Sequence, residues 1–120
     1  MWHTGTVLKG RQTGRTIGFP TINLDPRILA GVFPEGIYAC HVKYGEKTYL
    51  GALYLGPRLV RGEKNTILEI HILDFNKEIY GEEIQFNIKK YIRGIMDFKT
   101  MGELRSQIET DIAQINLLSG

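Results

Sequence analysis

Gly36-Ile37-Tyr38-Ala39-Cys40-His41-Val42-Lys43-Tyr44-Gly45-Glu46-Lys47 is the stretch from which the fold can be read. Tyr38, Cys40, Val42 and Tyr44 alternate with Ala39, His41 and Lys43, a period of two that sends successive side chains to opposite faces of a half-buried strand. Gly45-Glu46 supplies a tight turn, and residues 47–55 return as a second strand, so the stretch predicts a β-hairpin. A hairpin commits its two strands to antiparallel pairing, which needs no crossover helix.

Working outward, the pattern repeats. Residues 66–73 form the most apolar strand, and a turn through Asp74-Phe75-Asn76-Lys77 follows it. Ile84, Phe86 and Ile88 then alternate with Gln85, Asn87 and Lys89 as a further strand, and residues 4–9 have strand character at the start of the chain. Between them, residues 25–35 carry Pro26 and Pro34 and read as an irregular excursion, while residues 56–65 read as a long polar loop. The last element differs in period. Met101, Leu104, Ile108, Ile112 and Ile115 recur at spacings of three and four, one apolar stripe of a helix. Thr100 with Glu103 three residues on predicts its capping box, and Ser119-Gly120 its end. A lone stripe must be buried, so the helix is expected to close the open end or one face of the sheet. Five or six strands and one terminal helix predict a mainly β fold, a closed antiparallel barrel.

Composition narrows the function classes. The 120 residues are enough for one domain with a real core, and hydrophobic content of 42% with 23% charged residues is that of a globular chain. Fifteen basic against 13 acidic residues leave a net charge of +2, with no block of either sign longer than two. This balance gives little support to nucleic-acid binding, although it suits an anionic small-molecule ligand. Cys40 is the single cysteine, which rules out an intramolecular disulfide and a cysteine zinc site and favours a reducing compartment. No apolar run approaches a membrane span, and Met1-Trp2-His3-Thr4 lacks the features of a signal region. A cytoplasmic protein, with no membrane and no nucleic-acid partner, is expected.

The chemistry is concentrated in two places. The first is Gly14-Arg15-Thr16-Ile17-Gly18-Phe19-Pro20-Thr21-Ile22-Asn23-Leu24. Gly14 and Gly18 let a bulky anion approach main-chain N–H groups, and Pro20 pushes Phe19 towards an extended conformation, so the chain leaves the turn as a strand. Thr21 and Asn23 then share one strand face, about 6.6 Å apart. Their neutral oxygens suit a hard cation such as Mg²⁺ when phosphate supplies the remaining charge. With ligand distances of about 2.1 Å, the two must converge on the ion or one must act through water. The preceding Lys9-Gly10-Arg11-Gln12-Thr13-Gly14-Arg15 is a basic loop able to wrap a polyphosphate, or a solvated connection.

The second place is Ile67-Leu68-Glu69-Ile70-His71-Ile72, which puts a carboxylate and an imidazole on one strand face among aliphatic residues. Leu68, Ile70 and Ile72 are expected in the core. Glu69 on the opposite face is either a solvent-facing charge or a group that takes a proton from, or orients, an attacking hydroxyl in phosphoryl transfer. His71 read alone is a hydrogen-bonding residue more than a catalytic one.

Taken with Gly36-Ile37-Tyr38, Tyr80-Gly81-Glu82, the run from Tyr91-Ile92-Arg93 to Phe98 and the helical Gln107-Ile108-Glu109-Thr110-Asp111-Ile112, these motifs resemble the riboflavin kinase family in order along nearly the whole chain. The resemblance implies a six-stranded antiparallel Greek-key β-barrel with a C-terminal α-helix, a single kinase domain over residues 1–120 and no FMN adenylyltransferase domain. It implies ATP-dependent phosphorylation of the riboflavin 5′-hydroxyl to FMN, with Mg²⁺ or another divalent cation, by a monomer. Glu69 matches the catalytic base. Thr21 and Asn23 match the metal ligands. The nucleotide side falls to Lys9, Gly10, Gly14, Gly18, Pro20, Thr21, Asn23, His71 and Tyr80, and the flavin side to Arg93, Met96 and Phe98. Two stretches depart from the family pattern: Arg93-Gly94-Ile95 has an aliphatic residue where a flavin-loop carboxylate is usual, and Leu55-Gly56-Pro57-Arg58-Leu59 keeps Ile-Gly-x-x-Pro only in part. A kinase of another alcohol and a non-catalytic flavin- or nucleotide-binding barrel stay compatible with the residues.

Overall fold

In a computed structural model of the chain, which describes residues 1–9, 18–29, 31–57 and 66–118, alternating stretches form one six-stranded antiparallel sheet. The strands are β1 (His3–Thr6), β2 (Ile22–Leu24), β3 (Gly36–Tyr44), β4 (Lys47–Pro57), β5 (Thr66–Ile72) and β6 (Glu83–Arg93), followed by the helix α1 (Met101–Leu117). Their order in the sheet is β1-β6-β3-β4-β5-β2. The run β6-β3-β4-β5 is a Greek key: three strands joined consecutively, with the fourth returning to lie beside the first. The β3–β4 hairpin turns at Gly45-Glu46, with Tyr44 opposite Lys47.

The two edge strands meet, so the sheet curls into a nearly closed barrel. After Thr6 the chain leaves its ladder with β6, and the Leu8 N–H donates to the Asn23 carbonyl at 2.7 Å in an isolated antiparallel bridge. The first strand is thus shorter than residues 4–9, because its last residues turn from one neighbour to the other. Asp25 caps a 3₁₀ turn, Pro26–Ile28, in the excursion that follows β2, and its carboxylate also holds the Arg27 side chain.

Alternation delivers the core. Leu68, Ile70 and Ile72 of β5, Val42 of β3, Leu53 and Leu55 of β4, and Ile84 and Phe86 of β6 are buried inside the barrel. The helix covers one outer face of the sheet. Its Ile115 packs with Ala39 and Leu73, flanked by Leu50, Ala52 and Ile92. The stripe is buried only towards its C-terminal end. Met101, at the other end, is 46% exposed. At its start Glu103 N–H donates to the Thr100 hydroxyl, while the Glu103 carboxylate accepts from the Lys99 N–H, a capping box displaced by one residue at its return arm. Ser119 and Gly120 lie outside the described residues.

Candidate active site

Glu69 sits on the outer face of β5 with a side chain from each neighbouring strand beside it. Asn23 of β2 and Tyr54 of β4 are its register partners, so all three project from the same face. Thr21, one residue before β2 begins, donates its hydroxyl to Glu69 Oε1 at 2.6 Å. The arrangement follows from local geometry: Thr21 and Asn23 are two apart on an extended segment, and the antiparallel pairing of Asn23 with Glu69 brings that segment across the carboxylate. The oxygens of Thr21, Asn23 and Glu69 thus stand together.

The same segment borders a cleft of about 550 Å³, which Glu69 itself does not line. Lys9, Pro20, Thr21, Asn23 and Tyr80 line it, with Ile70 and Ile72 at its floor. Tyr80 is 61% exposed at the rim, on the connection from β5 to β6. Five of the residues singled out for the nucleotide side are therefore brought together. His71 is not among the lining residues; its Nδ1 lies 2.7 Å from the Pro20 carbonyl and its ring meets Phe19 edge-on. Gly18 precedes them with φ of +91°, a conformation that suits glycine. Gly10 and Gly14 fall outside the described residues.

Among the described residues no group of three or more His, Cys, Asp or Glu side chains is placed to hold a metal. The donor set at Thr21, Asn23 and Glu69 is two neutral oxygens and a carboxylate, which fits a hard divalent cation that arrives with phosphate oxygens to complete its coordination. It does not resemble a dedicated all-protein cage.

Beyond Glu69 the outer face continues to the second group of residues. The Tyr54 hydroxyl donates to the Pro57 carbonyl. Burial pushes the Tyr54 phenol up to about 12, reinforced by the negative charges of Glu69, Glu35 and Asp97 and opposed by Arg93. Arg93 ends β6 and turns to the helix: its guanidinium holds both carboxylate oxygens of Asp111, with Nε to Oδ1 at 3.0 Å and an NH2 group to Oδ2 at 2.8 Å, and it donates to the Gly94 carbonyl at 3.0 Å. Asp111, 3% exposed, also accepts from Gln107 at 3.0 Å. Met96 and Phe98 line a shallow groove against the first turns of the helix, with Asp97, Gln107 and Thr110. Ile95, in the same segment, packs onto β4, its Cδ1 2.7 Å from where a Cβ at Gly56 would stand. The two departures noted in the sequence are thus in contact with each other.

Sequence reasoning gave Asp111 no role. The signal available was its position: 111 falls between 108 and 115 on the apolar stripe, where a carboxylate has to be paired or displaced from the core.

Comparison with known proteins follows the same lines. The family model described as Flavokinase: Riboflavin kinase matches residues 1–118. The chain is 36% identical over 110 residues to the RNA-binding riboflavin kinase RibR of Bacillus subtilis, a match covering 91% of this chain and 47% of that relative. Among solved structures, it superposes on one described as a macrolide-efflux protein from Streptococcus pneumoniae with a TM-score of 0.82 and 28% identity, over 96% of this chain and 38% of the other. The riboflavin kinase from Trypanosoma brucei shares the fold with a TM-score of 0.68 and 20% identity, over 98% and 78% of the two chains. The chain spans less than half the length of curated relatives that it matches, 16% of one and 47% of another.

Proposed function

Because the chain belongs to the riboflavin kinase family, we propose that it transfers the γ-phosphoryl group of ATP to the 5′-hydroxyl of riboflavin, giving FMN and ADP. The observation that carries the reading is the 2.6 Å bond between Thr21 and Glu69, at the edge of a cleft lined by Thr21 and Asn23. It joins the groups suited to phosphate and metal to a carboxylate suited to an alcohol.

In this reading ATP occupies the cleft, with its base towards Tyr80 and its phosphates towards Lys9, Thr21 and Asn23. Thr21 and Asn23 would hold the divalent cation, Mg²⁺ being the natural choice for neutral oxygens and phosphate, and it would supply charge neutralisation on the phosphates. Glu69 receives the riboflavin 5′-hydroxyl, aligns its oxygen with the γ-phosphorus and takes its proton as the new O–P bond forms and the bond to the ADP oxygen breaks. For a loose phosphoryl-transfer transition state, positioning carries as much of the rate as basicity does. Arg93, Met96 and Phe98 form the flavin side, Arg93 through the segment it ties down. One domain, acting as a monomer in the cytoplasm, accounts for the chain; among the described residues no helix is long and apolar enough to cross a membrane.

One observation favours a second reading. Ile95 packs its aliphatic side chain on Gly56, so this position brings no carboxylate to the segment between Arg93 and Met96, which suits a related primary alcohol as well as riboflavin. The deciding experiment is FMN formation from riboflavin and Mg·ATP, followed by chromatography beside other primary alcohols and a metal-free control. Metal-dependent FMN is expected. ADP release with another alcohol and none with riboflavin would replace the substrate, and ATP binding with no turnover of any alcohol would replace the activity.

A further inference from the structure

We propose that His71 is a positioning residue for the transfer, which sets Thr21 by holding the carbonyl of Pro20; the inference rests on the kinase reading above. Glu69 and His71 are two apart on one face of β5, and each grips the same incoming segment. Glu69 accepts from the Thr21 hydroxyl at 2.6 Å, and His71 Nδ1 meets the Pro20 carbonyl at 2.7 Å. A carbonyl can only accept, so Nδ1 carries the proton in this contact, and Nε2 is left for solvent or another donor.

The segment has need of such a hold. β2 and its ladder to β5 begin only at Ile22, and Pro20 has no N–H to offer a neighbouring strand. Proline fixes φ at residue 20 and leaves ψ free. The His71 bond fixes that remaining rotation, since turning ψ of Pro20 swings its carbonyl off Nδ1. With the peptide plane between Pro20 and Thr21 set, the direction of the Thr21 side chain over Glu69 is set as well. Phe19, whose ring meets the imidazole edge-on at 5.5 Å between centroids, keeps the imidazole from turning away. Pro20, Thr21 and Asn23 line the cleft and His71 does not, so His71 acts on the nucleotide through the backbone it holds.

The test compares three substitutions at this position in the FMN assay, with KM for Mg·ATP and for riboflavin measured separately and folding followed by thermal melting. His71→Leu keeps apolar bulk and removes the donor. His71→Asn returns an N–H near the place of Nδ1, and His71→Gln moves it outwards, near the place of Nε2. The expected result is that Leu and Gln raise the KM for Mg·ATP by about tenfold, the value of one lost hydrogen bond, with the KM for riboflavin within about twofold. Asn is expected to stay within about threefold of the parent for both. An unchanged KM for Mg·ATP in the Leu variant, equal impairment of Asn and Gln, or a parallel rise for both substrates would overturn the proposal. Should the Leu variant not fold, the contrast between Asn and Gln decides. Absence of FMN with the unaltered protein is a different outcome, which strikes the kinase reading itself.

Discussion

Asp111 and Arg93 join the last helix to the end of the last strand through a two-pronged ion pair, with side-chain exposures of only 5% and 17%. Both Asp111 oxygens are used, and Gln107 supplies a third donor. Two buried charges out of water gain little over a well-packed apolar pair, but removing one partner strands the other. Asp111→Ala is therefore expected to cost about 3 kcal/mol or more in urea unfolding. Asp111→Asn, which keeps an acceptor for the guanidinium, is expected to cost less. In the FMN assay, the Asn variant should raise the KM for riboflavin more than that for Mg·ATP, because Arg93 also holds the Gly94 carbonyl ahead of Met96 and Phe98. A stability loss below about 1 kcal/mol for the Ala variant would mean that the pair is solvated in solution.

Glu69→Gln keeps the size and hydrogen-bonding reach of the side chain and removes its capacity to take a proton. A fall in kcat of about 10² or more is expected, with nucleotide affinity close to that of the parent. Single-turnover kinetics and Mg·ATP titration separate the two quantities. A near-normal kcat would remove Glu69 from the chemistry and leave it as the partner of Thr21.

Tyr54 offers a pH signature. Its phenol is pushed from 10.0 up to about 12, mainly by burial and then by Glu69. A proton held more tightly in the folded state than in the unfolded one stabilises the fold fully below pH 10. That contribution is lost as the pH rises through about 12. In an alkaline titration followed by tyrosinate absorbance, Tyr54 should be among the last tyrosines to ionise, and Tyr54→Phe should delete that late step. It should also flatten the loss of thermal stability in the same pH window. A titration unchanged at its alkaline end by Tyr54→Phe would refute the burial of this hydroxyl.

The contact of Ile95 with Gly56 predicts a paired effect. A Cβ at position 56 would meet Ile95 Cδ1 at 2.7 Å and the Tyr54 hydroxyl at 3.3 Å. The isoleucine terminus can rotate away, so Gly56→Ala is expected to cost about 1 kcal/mol. Ile95→Ala alone loses apolar contact, yet in the double variant it makes room for the added methyl. The double-mutant cycle should therefore show a favourable coupling. Strict additivity would mean that the two residues do not touch.

Period and turn chemistry made most of the barrel legible. Tyr38, Cys40 and Val42 proved to be core as the alternation predicted, although the helix buries Ala39 on the opposite face as well; Gly45-Glu46 is the short connection, and Leu68, Ile70 and Ile72 proved to be core. Thr21, Asn23 and Glu69 stood out in the sequence as candidates, and the hydrogen bond from Thr21 to Glu69 brings two of them together. What the residues did not reveal were relations across the sheet. Nothing in the chain says that Tyr54 will stand opposite Glu69, since that depends on the register of a pair separated by the connection of residues 58–65. The pairing of Arg93 with Asp111, 18 positions apart, was hidden for the same reason. Met101 shows the converse limit: periodicity marks which side chains share a helical face, but the length of that face that is covered is decided by the sheet beneath it.

Asn23 has two duties, and they are coupled. Its backbone carbonyl receives the Leu8 amide, the bridge by which the first and second strands close the barrel, and its side chain is a proposed ligand of the metal and phosphates. Among the described residues this rung is what fastens the seam, so the cylinder opens most easily along it, and whatever grips Asn23 from the cleft also fastens the seam. Breathing of the fold and vacancy of the nucleotide site are then one equilibrium seen from two ends. Hydrogen exchange at the Leu8 amide should slow when Mg·ATP binds, by a factor that grows with nucleotide concentration.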